Sequence, residues 1–105
     1  GMTLLVPPIF WYEVANALWV AVRRQRIPSG IAEEALGVLL DFLFEEWDLD
    51  ATDCLCTALR QDVCAYDAAY LQVAVDTGSA LWTTDRRLAM AGEQLGIETE
   101  PHKPA

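Results

Sequence analysis

Residues 64–88 read CAYDAAYLQVAVDTGSALWTTDRRL, and this stretch predicts a helix, a strand and the start of another helix. The apolar run after Asp67 favours a helix, and Gly78 suits the C-cap that ends it. SALWTT, residues 79–84, is typical of a short strand, and Asp85 then suits the beginning of a helix. A strand between helices favours a parallel sheet, so the stretch predicts the α/β class.

The sequence on both sides continues this alternation of strands and helices. A strand at residues 4–6 ends at two prolines, and Ser29 is a suitable N-cap for the second helix. The predicted elements also include helices at 8–25, 31–44, 51–61, 66–77 and 85–95, a possible strand at 46–50 and a last strand at 97–99. We therefore expect one α/β domain over residues 1–105, with a short, mostly parallel sheet between helices on both faces, and a loose tail at 101–105.

Composition and charge exclude several classes of protein. The 105 residues are 53% hydrophobic and carry a net charge of -9, which indicates a globular chain rather than a disordered one. A protein that simply coats nucleic acid is usually basic, so any nucleic acid must meet a local basic patch. No apolar run reaches the roughly 18 residues that span a bilayer. These features predict a cytoplasmic protein with no membrane partner.

The residue types that are rare in this chain exclude several kinds of enzyme. His102 and Lys103 are the only histidine and lysine, and both lie in the tail, so neither a Ser-His nor a Cys-His site is expected. The three cysteines form no C-x-x-C pair, and we expect three buried, reduced thiols. No dinucleotide or Walker motif is present. If the protein is an enzyme, carboxylates must carry the chemistry, and a bound metal is the expected partner.

Three acidic residues are candidates, and each has a simple structural explanation. Asp85 suits a helix cap, and Asp67 lies in a first turn but points towards the apolar side of its helix. Glu13, with Asn16 three residues on, lies in an otherwise apolar helix and can belong to a narrow solvated face.

These acids share one expected setting. In parallel sheets, sites form beyond the carboxyl ends of the strands, where Asp85 and Glu13 each follow a strand. Three carboxylates there can hold Mg²⁺ or Mn²⁺, which take oxygen ligands and can activate a water for attack at phosphorus. A cation also offsets the repulsion between clustered acids.

Three segments of the chain together resemble the PIN-domain ribonucleases, especially the VapC-type toxins of bacterial toxin–antitoxin pairs. YEVANALWVAVRRQRI, residues 12–27, resembles the first acidic helix of the family, with Glu13 as its glutamate. AYDAAYLQVA, residues 65–74, resembles the Y-D-A-x-Y segment that carries Asp67. LWTTDRRLAMA, residues 81–91, resembles the T-x-D-x-x-L segment, with Thr83 and Asp85.

The resemblance implies a function and a set of roles. Glu13, Asp67 and Asp85 are expected to bind Mg²⁺ or Mn²⁺ for the hydrolysis of RNA, and Thr83 to orient a carboxylate or a water. The implied partners are the RNA substrate and an antitoxin protein. RNA also needs positive charge. Two clusters can supply it, although solubility and helix-end charge explain them equally well: Arg23, Arg24 and Arg26, and Arg86 with Arg87.

One departure from the family concerns the beginning of the chain. The family opens with a central strand that ends in an aspartate, often in D-x-S, and nothing before Thr3 matches it. We therefore expect an N-terminally incomplete PIN-like domain without its first metal-ligand aspartate. The remaining strands can shift together, or a second chain can fill the gap, which favours a homodimer. A start codon placed too far downstream is a further explanation.

Three hypotheses stay open from the sequence. The first is an active metal-dependent endoribonuclease. The second is a catalytically impaired PIN-like module that binds an antitoxin or associates with itself. The third is a generic acidic α/β domain in which Glu13, Asp67 and Asp85 act as independent helix caps.

Overall fold

The computed structural model describes residues 4–42 and 44–101, which form an α/β fold with parallel strands, as predicted. Within these residues the strands form two two-stranded sheets, whereas the sequence predicted one short sheet. The chain divides into two compact units, Gly1–Trp47 and Asp48–Ala105, here called the first unit and the second unit. Each unit has its own pair of strands. The single-domain organisation expected for residues 1–105 stays a prediction.

The first unit consists of two strands and two helices. Strand β1 (Leu4–Val6) leads into helix α1 (Ile9–Arg23), and α2 (Ser29–Leu40) is followed by strand β2 (Phe44–Glu46). The strands β1 and β2 pair in parallel, with Leu4 opposite Phe44. The two prolines between β1 and α1 explain the sharp change of structure, because proline lacks a ladder donor and suits a helix start.

Aromatic rings hold the first unit together near β2. The Phe10 ring lies 5.0 Å from the Phe44 ring, and the Trp11 ring lies 5.5 Å from the same Phe44 ring in an edge-on arrangement. The Phe42 ring lies 6.2 Å from the Phe44 ring. These centroid distances fall in the range of favourable aromatic pairs, so Phe44 fastens the start of α1 to β2.

Three predictions in the first unit are wrong in detail. Pro28, rather than Ser29, occupies the N-cap of α2, and no side chain caps that helix. The helix ends at Leu40 rather than residue 44, because Phe44 is paired with β1. Strand β2 accordingly begins two residues before the predicted strand at 46–50 and overlaps it only at Glu46. Asp50 is instead the N-cap of the next helix, where its carboxylate accepts bonds from two backbone N–H groups.

The second unit contains three helices and the other strand pair. Its elements are α3 (Ala51–Gln61), α4 (Ala65–Thr77), β3 (Leu81–Trp82), α5 (Arg86–Gln94) and β4 (Thr99–Glu100). The strands β3 and β4 are parallel: the Leu81 N–H donates to the Glu98 carbonyl at 2.8 Å, and the Thr83 N–H donates to the Glu100 carbonyl at 2.8 Å. Gly78 ends α4 in the left-handed conformation predicted from the sequence.

The core of the second unit is built around α4. Its buried members come from α4, β3 and α5: Leu71, Ala74, Leu81, Leu88 and Ala91. Gly92 lets α5 approach the strands closely, since a Cβ there would lie 3.2 Å from a Thr99 methyl group and 3.3 Å from a Leu81 methyl group. The short helix α5 is therefore fixed by close packing on the strand pair.

A chain of polar groups joins α3 to α4. The Thr57 hydroxyl donates to Gln72 Oε1 at 2.7 Å, and Gln72 Nε2 donates to Asp76 Oδ1 at 2.8 Å. Gln72 is buried, and these bonds satisfy its amide.

The prediction of three buried thiols is wrong. Cys54 is only partly buried, while Cys56 and Cys64 are exposed. Cys56 lies on an exposed part of α3, and Cys64 at the start of α4.

Some predictions fall on residues outside the described ranges. They concern residue 43 of the second predicted helix and residues 102–105 of the predicted loose tail, whereas Pro101 is described and exposed. Among the helices that the structure describes, none combines the length and the apolar character of a membrane span.

Candidate functional site

Asp85 lies where β3 gives way to α5, as the sequence predicts. Its Oδ1 accepts bonds from the N–H groups of Arg87 at 2.9 Å and Leu88 at 3.2 Å, which makes Asp85 the N-cap of α5. The capping explanation is therefore correct as far as it goes. The cap uses one carboxylate oxygen, and the side chain is exposed, so the cap is compatible with a second role for Asp85.

Thr83 supports Asp85 through the backbone. The Thr83 hydroxyl oxygen accepts the Asp85 N–H at 3.0 Å, which fixes the turn between β3 and α5. A hydroxyl that bonds the backbone two residues on is a common device in turns. The observed contact of Thr83 is thus with the Asp85 backbone, and its expected role toward a carboxylate or water stays a prediction.

Asp67 lies in the first turn of α4. Its backbone N–H donates to Cys64 Sγ at 3.4 Å, so a thiol caps this helix. Cysteine is an uncommon N-cap, and the sequence therefore did not suggest this contact. Asp67 is partly buried, while its neighbour Tyr66 is exposed. The direction of Asp67 towards the apolar side of α4 stays a prediction.

The second unit brings the starts of α4 and α5 to the same side. The guanidinium of Arg87, in the first turn of α5, donates to the Asp62 carbonyl at 3.4 Å, and Asp62 belongs to the loop before α4. Asp67 and Asp85 therefore lie at the beginnings of neighbouring helices, at the carboxyl end of β3. This is the edge where sites form in parallel α/β folds. Sequence reasoning predicted the edge but missed the contact of Arg87.

Glu13 belongs to the first unit. It lies one turn into α1 and is exposed, as is Asn16 three residues later on the same helix. Arg23, near the end of α1, lies over the ring of Trp19 at 5.4 Å in a cation–π contact. The predicted face of Glu13 and Asn16 is thus present as an exposed face of α1.

The donor chemistry of the three acids suits a hard divalent cation. Carboxylate oxygens are ligands that Mg²⁺ accepts while it keeps several waters, and two of the carboxylates lie at neighbouring helix starts. Within residues 4–42 and 44–101, no group of three or more His, Cys, Asp or Glu side chains is arranged to hold a metal ion. The residue types therefore fit such an ion, and the grouping of Glu13, Asp67 and Asp85 stays a prediction.

Most of the chain aligns with known proteins at moderate identity. It is 37% identical over 82 residues to "Ribonuclease VapC3" of Pyrobaculum aerophilum, a match that covers 74% of this chain and 63% of that protein. It is 34% identical over 89 residues to "Exonuclease VapC9" of the same organism, covering 84% of this chain and 67% of that protein. The chain thus spans about two thirds of the length of these relatives. No family model matches it.

A solved structure shares the fold. The crystal structure of PAE2754 from Pyrobaculum aerophilum superposes with a TM-score of 0.74 and 32% identity, over 92% of this chain and 65% of that one. The chain is a PIN-like α/β protein. This class is defined by the parallel strand pairs, the acids at helix starts and the similarity to these relatives. The chain belongs to the VapC-type PIN-domain family.

Proposed function

We propose that this protein is the ribonuclease component of a toxin–antitoxin pair, a metal-dependent endoribonuclease. The observation that carries the proposal is its 37% identity to a protein named ribonuclease VapC3. The second unit supports it, because Asp67 and Asp85 lie at neighbouring helix starts, joined by the Arg87 contact to the Asp62 carbonyl.

The proposed roles follow the three acids and Thr83. Glu13, Asp67 and Asp85 would hold Mg²⁺ or Mn²⁺, and the ion would supply a water of lowered pKa and positive charge for the phosphate. Thr83 holds the turn in which Asp85 lies, and through that turn sets the position of the Asp85 carboxylate. No histidine is required in this arrangement, because the metal would lower the pKa of the attacking water in place of an imidazole base.

The experiment must separate the catalytic role of Asp85 from its cap. Asparagine caps helices about as well as aspartate, so Asp85→Asn should keep the melting temperature and lose RNA cleavage, by at least about 100-fold. Asp50 caps α3 in the same way, through bonds from Thr52 and Asp53. Asp50→Asn is therefore the matched control and should cleave RNA as the parent does. Equal loss in both variants, or loss in neither, would contradict the proposal.

Metal dependence is tested by calorimetry on the same proteins. The parent should bind Mn²⁺, and Asp67→Asn and Asp85→Asn should bind it at least tenfold more weakly, because each removes a charged ligand. In the metal-free protein, either change should leave the melting temperature unchanged or raise it, since it relieves repulsion between acids. Binding that is the same in all three proteins would place the metal elsewhere.

Whether cleavage is internal or begins at an end of the RNA is a separate question, because one relative is named an exonuclease. A circular RNA has no end, so an endonuclease cuts it and an exonuclease does not. We expect the protein to linearise a circular RNA and then to shorten it. A linear RNA of the same sequence provides the control.

A second candidate is an impaired PIN-like module that binds an antitoxin or a second copy of itself without cutting RNA. The observation in its favour is that no three metal-binding side chains are grouped within the described residues. This candidate predicts no Mn²⁺-dependent cleavage by the parent, together with a homodimer or an antitoxin complex in sedimentation experiments. Under either candidate function, we propose that the protein is a cytoplasmic homodimer and that it binds an antitoxin.

A further inference from the structure

Two exposed aromatic side chains stand beside the candidate acids of the second unit. Tyr66, 66% exposed, directly precedes Asp67 at the start of α4. Trp82, 64% exposed, lies at the end of β3, three residues before Asp85. Large aromatic side chains usually lose most of their exposure when a protein folds, and among the described residues of the second unit these two rings are the ones that stay mostly exposed.

The exposure of Trp82 follows from the strand itself. Successive strand residues point to opposite faces, and Leu81 is buried in the core with Leu71 and Leu88. Trp82 therefore points away from this core. The residues that follow it are polar or charged, and Thr84, Asp85 and Arg86 are all exposed. The ring is therefore an exposed apolar group that polar and charged residues follow in the chain.

The local charge differs from that of the whole chain. The net charge is -9, but Arg86 and Arg87 directly follow Asp85 at the beginning of α5. Arg87 bonds the Asp62 carbonyl, and Arg86 is exposed. Proteins that bind single-stranded nucleic acid usually combine aromatic rings, which stack on the bases, with positively charged groups, which contact the phosphates.

We propose that Trp82 and Tyr66 are base-stacking residues that hold unpaired RNA on either side of the phosphate at Asp67 and Asp85, and that Arg86 contacts a neighbouring phosphate. This inference rests on the proposed function, because it specifies which form of RNA the site takes. Stacking requires bases outside a duplex, so the preferred substrate is unpaired RNA with little dependence on its sequence.

The test measures RNA binding apart from cleavage. A fluorescein-labelled, unstructured oligouridine is titrated with the full chain in EDTA, where divalent ions are absent, and binding is followed by anisotropy. Trp82→Ala should weaken binding about tenfold, as should Tyr66→Ala, while Trp82→Phe should stay within about threefold of the parent. Leu59, 74% exposed on α3, provides the matched control, and Leu59→Ala should bind as the parent does.

Two further readouts separate stacking from other effects. Trp82→Leu keeps an apolar side chain and should bind as weakly as Trp82→Ala, because the π-face is lost. Arg86→Gln should reduce the dependence of binding on log salt by about 0.7, the value for one phosphate of a single strand, whereas Trp82→Ala should leave that slope unchanged. Neither aromatic change should affect the weaker binding of a fully paired RNA duplex.

The outcomes distinguish this inference from the proposed function. If Trp82→Ala and Trp82→Leu bind like the parent, or if Trp82→Ala changes only the sedimentation coefficient, the ring is a protein contact and the inference is overturned. RNA cleavage by the parent in Mg²⁺ would then still support the ribonuclease. Binding that depends on Trp82 without any cleavage would support the inference and contradict the proposed nuclease activity.

Discussion

The two units of this protein are stabilised in different ways. In the second unit, helix α4 buries five residues, with Leu71 completely enclosed. In the first unit, no residue of α1 or α2, both of which the structure describes in full, is buried. Its described rings cluster instead around Phe44. The comparison teaches that burial of a helix depends on the elements around it, because α4 is packed by α3, α5 and β3, while α1 and α2 have no residue buried.

The helix starts show the same contrast. In the second unit, Asp50 and Asp85 cap α3 and α5 with their carboxylates. In the first unit, Pro8 and Pro28 precede α1 and α2, and no side chain caps either helix. A side-chain cap satisfies orphan backbone N–H groups, whereas a proline merely presets the backbone. Local side-chain interactions therefore fix the helix starts of the second unit more firmly than those of the first unit.

The largest expected effect comes from the core of the second unit. Leu71→Ala should lower the free energy of unfolding by about 2–5 kcal/mol, because it leaves a cavity that the surrounding side chains fill only in part. Leu40 of α2 is 57% exposed, and Leu40→Ala should change that free energy by less than about 0.5 kcal/mol. Urea unfolding of both variants checks this pair. Equal losses would mean that Leu40 is covered in solution.

Helix caps come next in size. Asp50→Ala removes the acceptor for the N–H groups of Thr52 and Asp53 and should destabilise the protein by about 1 kcal/mol. Ser29→Ala removes a side chain that caps nothing in α2 and should be neutral within about 0.3 kcal/mol. Thermal melting of the two variants measures the difference. A comparable loss from Ser29→Ala would indicate that Ser29 caps α2 in solution.

Two helical glycines offer a finer comparison. A Cβ on Gly37 of α2 meets nothing within 4 Å, so Gly37→Ala should stabilise the protein by about 0.5–1 kcal/mol through helix propensity. A Cβ on Gly92 of α5 would lie 3.2 Å from a Thr99 methyl group, and this crowding should cancel the gain or reverse it. Chemical unfolding should rank Gly37→Ala above the parent and Gly92→Ala at or below it. The reverse ranking would contradict the packing of α5.

The smallest expected effect is a pH dependence in α3. Burial, and then the carboxylates of Asp53, Asp76 and Asp50, raise the pKa of the Cys54 thiol above its ordinary value. Folding therefore favours the neutral thiol, and this contribution to stability is present below the ordinary pKa and lost as the pH rises through the folded one. Cys54→Ser should flatten the fall in stability above about pH 9.

Cys56 of the same helix is exposed and supplies the control for this pH dependence. Urea unfolding between pH 7.5 and 10 should give parallel curves for the parent and Cys56→Ser, and a flatter curve for Cys54→Ser. Iodoacetamide should also modify Cys54 more slowly in the folded protein than in the urea-unfolded chain, because the thiolate is the reactive form. Equal rates in the two states would contradict the raised pKa.

Elements with local signals could be predicted from the sequence. The helix over Ala51–Gln61, the strand over Leu4–Val6, the Gly78 C-cap and the Asp85 N-cap were all predicted correctly. Each depends on residues within a few positions of one another, such as a proline pair or a glycine that tolerates a positive φ. The motifs around Glu13, Asp67 and Asp85 likewise lie within short segments, and they sufficed to indicate the family.

Features that depend on distant residues could not be predicted in the same way. The end of α2 at Leu40 depends on the pairing of Phe44 with Leu4, forty positions away in the chain. The N-cap by Cys64 uses a side chain with little preference for that position.

The sequence by itself determined the α/β class, the order of most elements and the short motifs that carry the three candidate acids, because periodicity, caps and turns are local properties. Only the tertiary structure decided that α4 is buried and α1 is not, and that Arg87 joins the start of α5 to the loop before α4. It also decided which aromatic rings stay exposed. The reason is physical: burial and contact are set by the packing of segments far apart in sequence, and no local pattern encodes which segments meet.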